Sequence, residues 1–177
     1  MPLNPPASVF ATTPLNIKNG IVVGLLTRAD ELGVCPDHWF EDTRLDRSHF
    51  QAEAPAYVSY RQACGIIQRA IDSLPGDGHG LAIGARQDVG NFGLLGLAMM
   101  TAKDFGEALR LGIQYAPITG SMLEMQLGTA SPVDGCDAVA MTAWMRNREP
   151  AIEPFLCEEL FASCLKLCRG LLGPDFR

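Results

Sequence analysis

The sequence predicts an α+β fold, a helix-rich domain with a small antiparallel β-hairpin. Apolar residues recur at the three-to-four-residue spacing of a helix through most of the chain. Two neighbouring stretches in the second half instead alternate apolar and polar side chains, as strands do. The chain has 177 residues, of which 47% are hydrophobic and 19% charged, enough for one buried core. We therefore expect a flexible, Pro-rich arm at residues 1–17 and one domain at residues 18–177.

Helical periodicity predicts two longer helices in the first half of the chain. Residues 18–34 place their apolar side chains on one face, with Asn19 as a cap and Gly33 as a stop. Residues 57–74 form the next clear helix, and residues 35–50 between the two are expected to form short helical turns. The glycine-rich GDGHGLAIG that follows matches no phosphate-binding pattern, so it is interpreted as a loop.

Capping signals define the helices of the second half. Asn91 is placed to cap a short helix that ends at Met100. Thr101 and Asp104 have the spacing of a capping box for the next helix, which Pro117 ends. The predicted buried face of that helix consists of Phe105, Ala108, Leu109, Ile113 and Ala116.

An antiparallel hairpin and a long helix complete the predicted fold. Residues 123–127 alternate apolar and polar side chains, and DAVAMTAWM at residues 137–145 does the same. ASPVDG at residues 130–135 supplies turn residues between them, so the two stretches should pair as a hairpin. The last helix is expected over about residues 152–172.

Composition and charge exclude several classes of function. The net charge is −6 and no run of Lys and Arg is present, which argues against a grip on the phosphates of nucleic acid. No stretch reaches the ~18 uninterrupted apolar residues of a membrane span, and the start does not resemble a signal peptide. Six cysteines are too sparse for a disulfide scaffold, so we expect reduced thiols and a cytoplasmic protein.

Catalytic and metal-binding patterns are weak. Cys35 and His38 have the spacing of half a zinc site, but no second pair accompanies them. His79 has no nucleophile motif in the sequence around it. Glu158 and Glu159 are adjacent on a helix and are interpreted as its solvated edge. We therefore expect no metal, no cofactor and no enzyme activity.

The closing helix is apolar over more than one face. Cys157, Cys164 and Cys168 share a face with core-type residues, where a thiol serves as a small apolar side chain. The apolar arc is wider than the ~100° that a surface helix needs, so one face should stay exposed and pair two copies of the chain. The alternative is that chain beyond Arg177 covers this face. The candidate dimer-interface residues are Leu160, Phe161, Cys164 and Cys168.

A resemblance to a known family gives these elements a function. NFGLLGLAMMTAKDFGEALRLGIQYAPI, residues 91–118, resembles the signature of the N-terminal regulatory domain of AraC/XylS-type bacterial transcriptional regulators, in its arabinose-binding form. LTRADELGV, LAIGAR and EPFLCEELFASCLKLCRGLLG are similar to the opening helix, the Leu-x-x-Gly element and the closing helix of that family. The resemblance therefore covers nearly the whole chain. The matching signature positions are Phe92, Gly93, Gly96, Thr101, Glu107, Ala108, Leu109 and Tyr115.

The resemblance implies a sensor for a small-molecule effector, whose binding shifts an equilibrium between conformations. Methionine and aromatic side chains form adaptable apolar pockets, and we expect one between the hairpin and the helix ending at Tyr115. Arg61 or Arg86 is expected to hold a carboxylate on the effector. The expected apolar lining consists of Phe92, Met99, Met100, Tyr115, Met125, Met141 and Trp144.

Regulators of this family continue into two helix-turn-helix motifs that insert helices into the major groove of DNA. This chain ends at LLGPDFR without them. We expect it to be the sensing part of a longer regulator, which contacts DNA only through the missing part. Two other classes remain open, a stand-alone interaction module that works by dimerising and a small enzyme of unrecognised type.

Overall fold

The computed structural model describes residues 16–18, 20–51, 57–133, 136–145 and 147–176. It confirms the predicted α+β class, with helices around two small antiparallel sheets. The helices are α1 (Gly20–Leu32), α2 (Tyr60–Ser73), α3 (His79–Gly84), α4 (Leu94–Met100), α5 (Phe105–Tyr115) and α6 (Glu153–Leu172). The strands are β1 (Asn16–Lys18), β2 (Tyr57–Ser59), β3 (Leu123–Val133) and β4 (Cys136–Met145).

The first two helices begin later than predicted, because extended residues precede them. Lys18 lies in β1, which pairs antiparallel with β2, and α1 starts at Gly20. The predicted cap Asn19 lies outside the described residues, as does the predicted arm except for Asn16 and Ile17, which belong to β1. Helix α1 ends as predicted, with Gly33 at φ +68°.

A capping box sets the start of α2 at Tyr60 instead of residue 57. The Ser59 hydroxyl accepts a hydrogen bond from the Gln62 backbone N–H, and the Gln62 side chain accepts one from the Ser59 N–H. These bonds satisfy amide donors that have no partner inside the helix. Residues 57–59 are therefore free to pair as a strand, with Val58 buried.

A closely packed core joins α1, α2 and the turns between them. The short 3-10 helix Asp37–Phe40 carries Trp39, which is fully buried while its indole Nε1 donates to Ser73 Oγ at 2.7 Å. Arg69 of α2 donates from Nε to the carbonyl oxygen of Trp39 at 2.9 Å, which ties this turn to the helix. The side chains of this core with no more than 1% exposure are Leu25, Ala29, Trp39, Ala63, Ile66, Ile67 and Ala70.

Helix α3 corrects the prediction of a loop at residues 76–84. Its glycines allow its backbone to lie directly against that of α6. A Cβ added at Gly80 would lie 2.4 Å from the carbonyl oxygen of Phe155, and one at Gly84 would lie 2.4 Å from that of Glu159. Both distances are far inside van der Waals contact. These two glycines, four residues apart, allow the two helices to pack closely. In the sequence alone, a glycine-rich stretch is typical of a loop.

Two predicted caps are wrong. Asn91 lies inside the 3-10 helix Val89–Phe92, which Asp88 caps by accepting from the Gly90 N–H at 2.9 Å. The hydroxyl of Thr101 donates back to the Leu97 carbonyl, so it continues the preceding helix. Asp104 caps α5 instead, accepting from the Glu107 N–H at 2.8 Å. An acceptor on an extended residue can reach the free amides of the next helix, whereas an acceptor within a turn cannot.

The predicted hairpin is confirmed and is longer than expected. β3 pairs antiparallel with β4 from Leu123 opposite Met145 to Val133 opposite Cys136, with an irregularity between Ala130 and Val133. Residues 130–133, predicted as a turn, therefore belong to β3. The closing helix also forms as predicted, with Pro154 in its first turn, where its missing N–H costs no hydrogen bond.

Candidate functional site

A cavity of about 540 Å³ lies between α1, α4, α5, α6 and the hairpin. This volume falls within the range of small-molecule binding sites. Its wall is largely apolar, and three of its methionines come from three different elements. Met99 belongs to α4, Met125 to β3 and Met141 to β4.

Helix α5 presents its apolar stripe to this cavity. Phe105, Leu109 and Ile113 lie four residues apart, so they share one face of the helix, and all three line the cavity. Each is only partly buried, whereas the small residue Ala108 of the same helix is buried. The predicted buried face of α5 is therefore in place, but its three larger side chains lie on the cavity wall and are only partly buried.

The glycines of the Phe-Gly-x-x-Gly signature place α4 beside the cavity. Gly93 has φ +56° and ψ −126°, a conformation that is essentially restricted to glycine, and it turns the chain from the 3-10 helix into α4. A Cβ added at Gly96 would lie 1.9 Å from the Val89 carbonyl oxygen, so α4 can fold back onto the preceding turn only with glycine there. The turn leaves Phe92 and Met99 on the cavity wall.

The register of the hairpin decides which of its side chains reach the cavity. Met125 pairs with Ala143, and Met141 pairs with the residue two positions after Met125, so both methionines lie on one face. Glu124 pairs with Trp144 on the opposite face. The predicted lining residue Trp144 therefore does not line the cavity, because the strand period of two places it on the other side of the sheet.

Five of the nine predicted ligand-binding residues line this cavity, namely Phe92, Met99, Met125, Met141 and Arg86. Tyr115 is 40% exposed at the end of α5, and Arg61 is exposed on α2, away from this wall. Met100 also turns outward, with 56% of its surface exposed. Met99 and Met100 therefore face different surroundings, because consecutive residues of a helix point about 100° apart.

Arg86 lines the cavity but already has a carboxylate partner. Its Nη1 lies 2.7 Å from Glu31 Oε1, and its Nη2 donates to Glu31 Oε2 at 2.9 Å. Glu31 also accepts from Arg28 at 2.9 Å. The hydrogen bond from Arg86, followed by that from Arg28, lowers the pKa of Glu31. The guanidinium that was expected to hold an effector carboxylate is therefore already bound on both arms.

Helix α6 supplies the longest wall of the cavity, and it contains two polar residues that the sequence did not indicate. Glu159 and Ser163 line the cavity, although Glu159 was predicted to be a solvated edge residue. Ser163 is buried, and its Oγ donates to Glu159 Oε1 at 2.9 Å. Burial raises the pKa of Glu159, an effect that the hydrogen bond from Ser163 partly opposes.

Spacing on α6 contained a signal for Glu159. Leu156, Glu159, Leu160 and Ser163 recur at three- and four-residue intervals, which is the period of a single helical face. Three of them are buried and all four line the cavity. Residue type suggested a polar edge, whereas position in the period indicates an inward face.

Three of the four predicted dimer-interface residues also face inward. Leu160, Cys164 and Cys168 line the cavity, and only Phe161, at 48%, is well exposed. The apolar surplus of α6 therefore serves mostly as cavity wall. The sequence could not distinguish a cavity from an interface, because both leave apolar side chains without a partner from the core.

The thiols in the cavity wall act as apolar groups. Burial raises the pKa of Cys164 to about 12 and raises that of Cys168 as well. The Cys164 thiol donates weakly to the sulfur of Met141 at 3.9 Å. A thiol in this state is neutral at physiological pH and is a poor nucleophile.

Other candidate sites of chemistry lie apart from the cavity. His79 is buried at the start of α3, with Nε2 3.1 Å from the Gly76 carbonyl oxygen, and does not line the cavity. Cys35 and His38 are both exposed. Within the described ranges, no three His, Cys, Asp or Glu side chains come together as metal ligands, and no helix is long and apolar enough to cross a membrane.

Comparison with known proteins adds the family. The model of the N-terminal arabinose-binding domain of AraC transcription regulators matches residues 33–177. The match begins directly after α1. It therefore includes every part of the cavity wall except the part that α1 supplies. The search of curated proteins finds no match. The chain belongs to the family of N-terminal arabinose-binding domains of AraC transcription regulators.

Proposed function

We propose that this domain senses a small, largely apolar effector, which binds in the cavity between α5, α6 and the hairpin. One observation carries the proposal: the apolar side chains Phe105, Leu109 and Ile113 are only partly buried, and all three line a space of about 540 Å³. A folded domain leaves such a surface open at a stability cost, which a ligand can offset. Membership in a regulatory ligand-binding family supports the same conclusion.

Helix α6 is suited to transmit binding to the remainder of a regulator. Its Leu156, Leu160 and Leu167 line the cavity, while its backbone packs against α3 at Gly80 and Gly84. Because the two backbones are in close contact, we expect a shift of α6 to move α3 as well. An effector that fits one position of α6 better than another would shift the population between them. We propose that this shift changes DNA binding by residues outside this chain, in the cytoplasm.

A thermal-shift screen of small metabolites tests the sensor. A true effector at a hundred times its Kd should stabilise the domain by about 2.7 kcal/mol. Met125→Trp, which fills the cavity, should remove this response, while Trp144→Ala on the opposite face of the hairpin should keep it. An unchanged response in Met125→Trp would place the binding site elsewhere.

Pairing of two copies through α6 is a second proposal, and an exposed stripe favours it. Phe161, Leu165 and Leu172 lie at positions i, i+4 and i+11, and each is at least 36% exposed. Exposed apolar surface of this kind usually marks an interface. In analytical ultracentrifugation we expect a dimer that Phe161→Glu dissociates, while Leu94→Glu on the exposed side of α4 leaves it intact. A wild-type monomer ends this proposal.

Binding of DNA by this chain alone is not part of the proposal. The net charge of −6 opposes contact with a phosphate backbone, since such contacts require clustered Lys and Arg. We expect no specific shift of operator DNA by the chain in a gel-shift assay at physiological salt. Nanomolar binding would contradict this expectation.

A further inference from the structure

Glu159 is an acidic group on a largely apolar cavity wall. Ser163 Oγ donates to its Oε1, and among the described residues its Oε2 has no hydrogen-bond partner and neither oxygen has a cation beside it. Burial raises the pKa of this carboxyl group, as expected where a charge lacks compensation. The side chain is half-buried and its Oε2 keeps some accessible surface, so the charge is only partly desolvated and a ligand in the cavity can reach it.

Packing of the helices does not explain the side chain. The contact between α3 and α6 uses the backbone of Glu159, whose N and O atoms lie against Gly80 and Gly84. Any residue at this position provides the same backbone atoms. An apolar side chain of similar length would also cover the wall without the cost of burying a carboxyl group. We therefore expect the carboxyl group to bind a partner that enters the cavity.

The charges at the cavity determine which partner fits. Among the described residues that line it, Arg86 is the only other charged one, and both arms of its guanidinium bind Glu31. The uncompensated charge at the wall is therefore negative. An anionic effector would meet Glu159 and find Arg86 occupied. A cation would supply the missing partner through a charge-assisted hydrogen bond, which is strong where water is excluded.

We propose that the effector carries a protonated amine on an apolar body, and that Glu159 is the counter-ion of that amine inside the cavity. Ser163 is a positioning residue, since its hydroxyl holds one carboxyl oxygen and leaves the other for the ligand. The methionine and leucine side chains of the wall receive the apolar body. This inference rests on the proposed function of the cavity as the effector site.

Three matched probes test the amine. Phenylbutylamine, phenylbutanol and phenylbutanoate share one apolar body and differ only in the end group. Their affinities for the full chain are measured by isothermal titration calorimetry at neutral pH. We expect the amine to bind at least about tenfold more tightly than the alcohol, and the carboxylate to bind most weakly.

Two variants assign the preference to Glu159. Glu159→Gln preserves the shape of the side chain and should bring amine and alcohol to equal affinity, while alcohol binding persists. Ser163→Ala keeps the carboxyl group and should retain part of the preference. Circular dichroism melts establish that both variants fold, and if Glu159→Gln does not, the Ser163→Ala titration and the wild-type probe series decide.

The outcomes separate this inference from the proposed function. If the alcohol binds as tightly as the amine, or the carboxylate binds best, the amine assignment is overturned while the cavity remains an effector site. If Glu159→Gln keeps the amine preference, the counter-ion lies elsewhere and the inference also fails. If none of the three probes binds, the inference is overturned, and the metabolite screen decides whether the cavity binds an effector at all.

Discussion

Helices α2 and α5 are both amphipathic and both begin at a polar cap, yet their apolar faces meet different surroundings. On α2, Ile66 and Ile67 are 0% exposed and pack into the core around Trp39. On α5, Leu109 and Ile113 are only partly buried and face the cavity. The difference shows that an apolar stripe reports which face of a helix turns inward, but not whether side chains or a ligand will cover it.

The comparison also separates stability from function. A closely packed core gains dispersion and burial energy from every side chain, whereas the wall of a cavity forgoes part of that energy. Binding regions are drawn from the less stable parts of a fold for this reason. The α2 region therefore serves as the scaffold, and we propose that the α5 region is where an effector adds the most stability.

The largest expected effect on stability comes from one of two matched Ile→Ala changes. Ile67→Ala creates a void in the α2 core and should lower the free energy of unfolding by about 2–5 kcal/mol. Ile113→Ala removes the same atoms from a wall that is already open, so we expect a loss of about 1 kcal/mol. Urea denaturation measures both. Equal losses would mean that the two regions are packed alike.

The contact between α3 and α6 gives the next largest effect. Gly84→Ala would place a Cβ 2.4 Å from the Glu159 carbonyl oxygen and 2.7 Å from the Cβ of Ala162, so we expect destabilisation by about 1–3 kcal/mol. Gly170→Ala on the exposed side of α6 is the control, since its Cβ would meet only Val89 at an ordinary 3.6 Å. Helix propensity predicts that this control stabilises the domain by up to about 1 kcal/mol. A harmless Gly84→Ala would contradict the close approach.

Capping of α5 gives a smaller effect. Asp104→Ala removes the side chain that accepts the Glu107 N–H and should cost about 1 kcal/mol. Thr101→Ala, at the other position of the predicted capping box, should change stability by less than about 0.5 kcal/mol. Thermal melts of the two variants distinguish them, and the reverse order would restore Thr101 as the cap.

The smallest effect is a dependence of stability on pH that Glu159 adds. Burial raises the pKa of this carboxyl group in the folded state, so its contribution to stability is present below the unfolded pKa and is lost as pH rises through the folded pKa. Wild type should therefore lose stability relative to Glu159→Gln as pH rises from about 4 toward neutrality.

The other titratable side chains at this wall keep one protonation state over that range. The pKa of Arg86 is raised by its hydrogen bonds to Glu31, and burial raises those of Cys164 and Cys168. His79 and Glu158 on the packed helices occur in both proteins, so they do not contribute to the difference between the two profiles. Parallel pH profiles for wild type and Glu159→Gln would show that the carboxyl group stays solvated.

Local chemistry in the sequence predicted the helices of the second half and the hairpin, but it misassigned elements whose signal depends on a neighbour. The loop prediction at residues 76–84 failed because Gly80 and Gly84 are needed for contact with α6, 70 or more residues away. The helix predicted from residue 57 forms but begins only at Tyr60, because residues 57–59 pair with β1 as strand β2. Such contacts are tertiary, and no window of sequence contains them.

The sequence predicted the types of side chain in the candidate site better than the directions in which those side chains point. Methionines on three elements indicated an apolar pocket, and Met99, Met125 and Met141 all line the same cavity. Trp144 was wrongly predicted to line the cavity, because successive residues of a strand point to opposite faces of the sheet. Glu159 was missed because acidic residues are usually solvated, and only its position in the helical period indicated otherwise.

Hydrogen exchange with and without a bound ligand tests the central claim, that the cavity beside α5 is the effector site. The ligand is the compound that gives the largest rise in Tm in the metabolite screen. We predict slower exchange of backbone amides in α5, in the cavity-facing part of α6 and in β3, with little change in α2, whose core is already filled. Protection confined to α2, or to the exposed stripe of Phe161 and Leu165 with α5 unaffected, would contradict the claim.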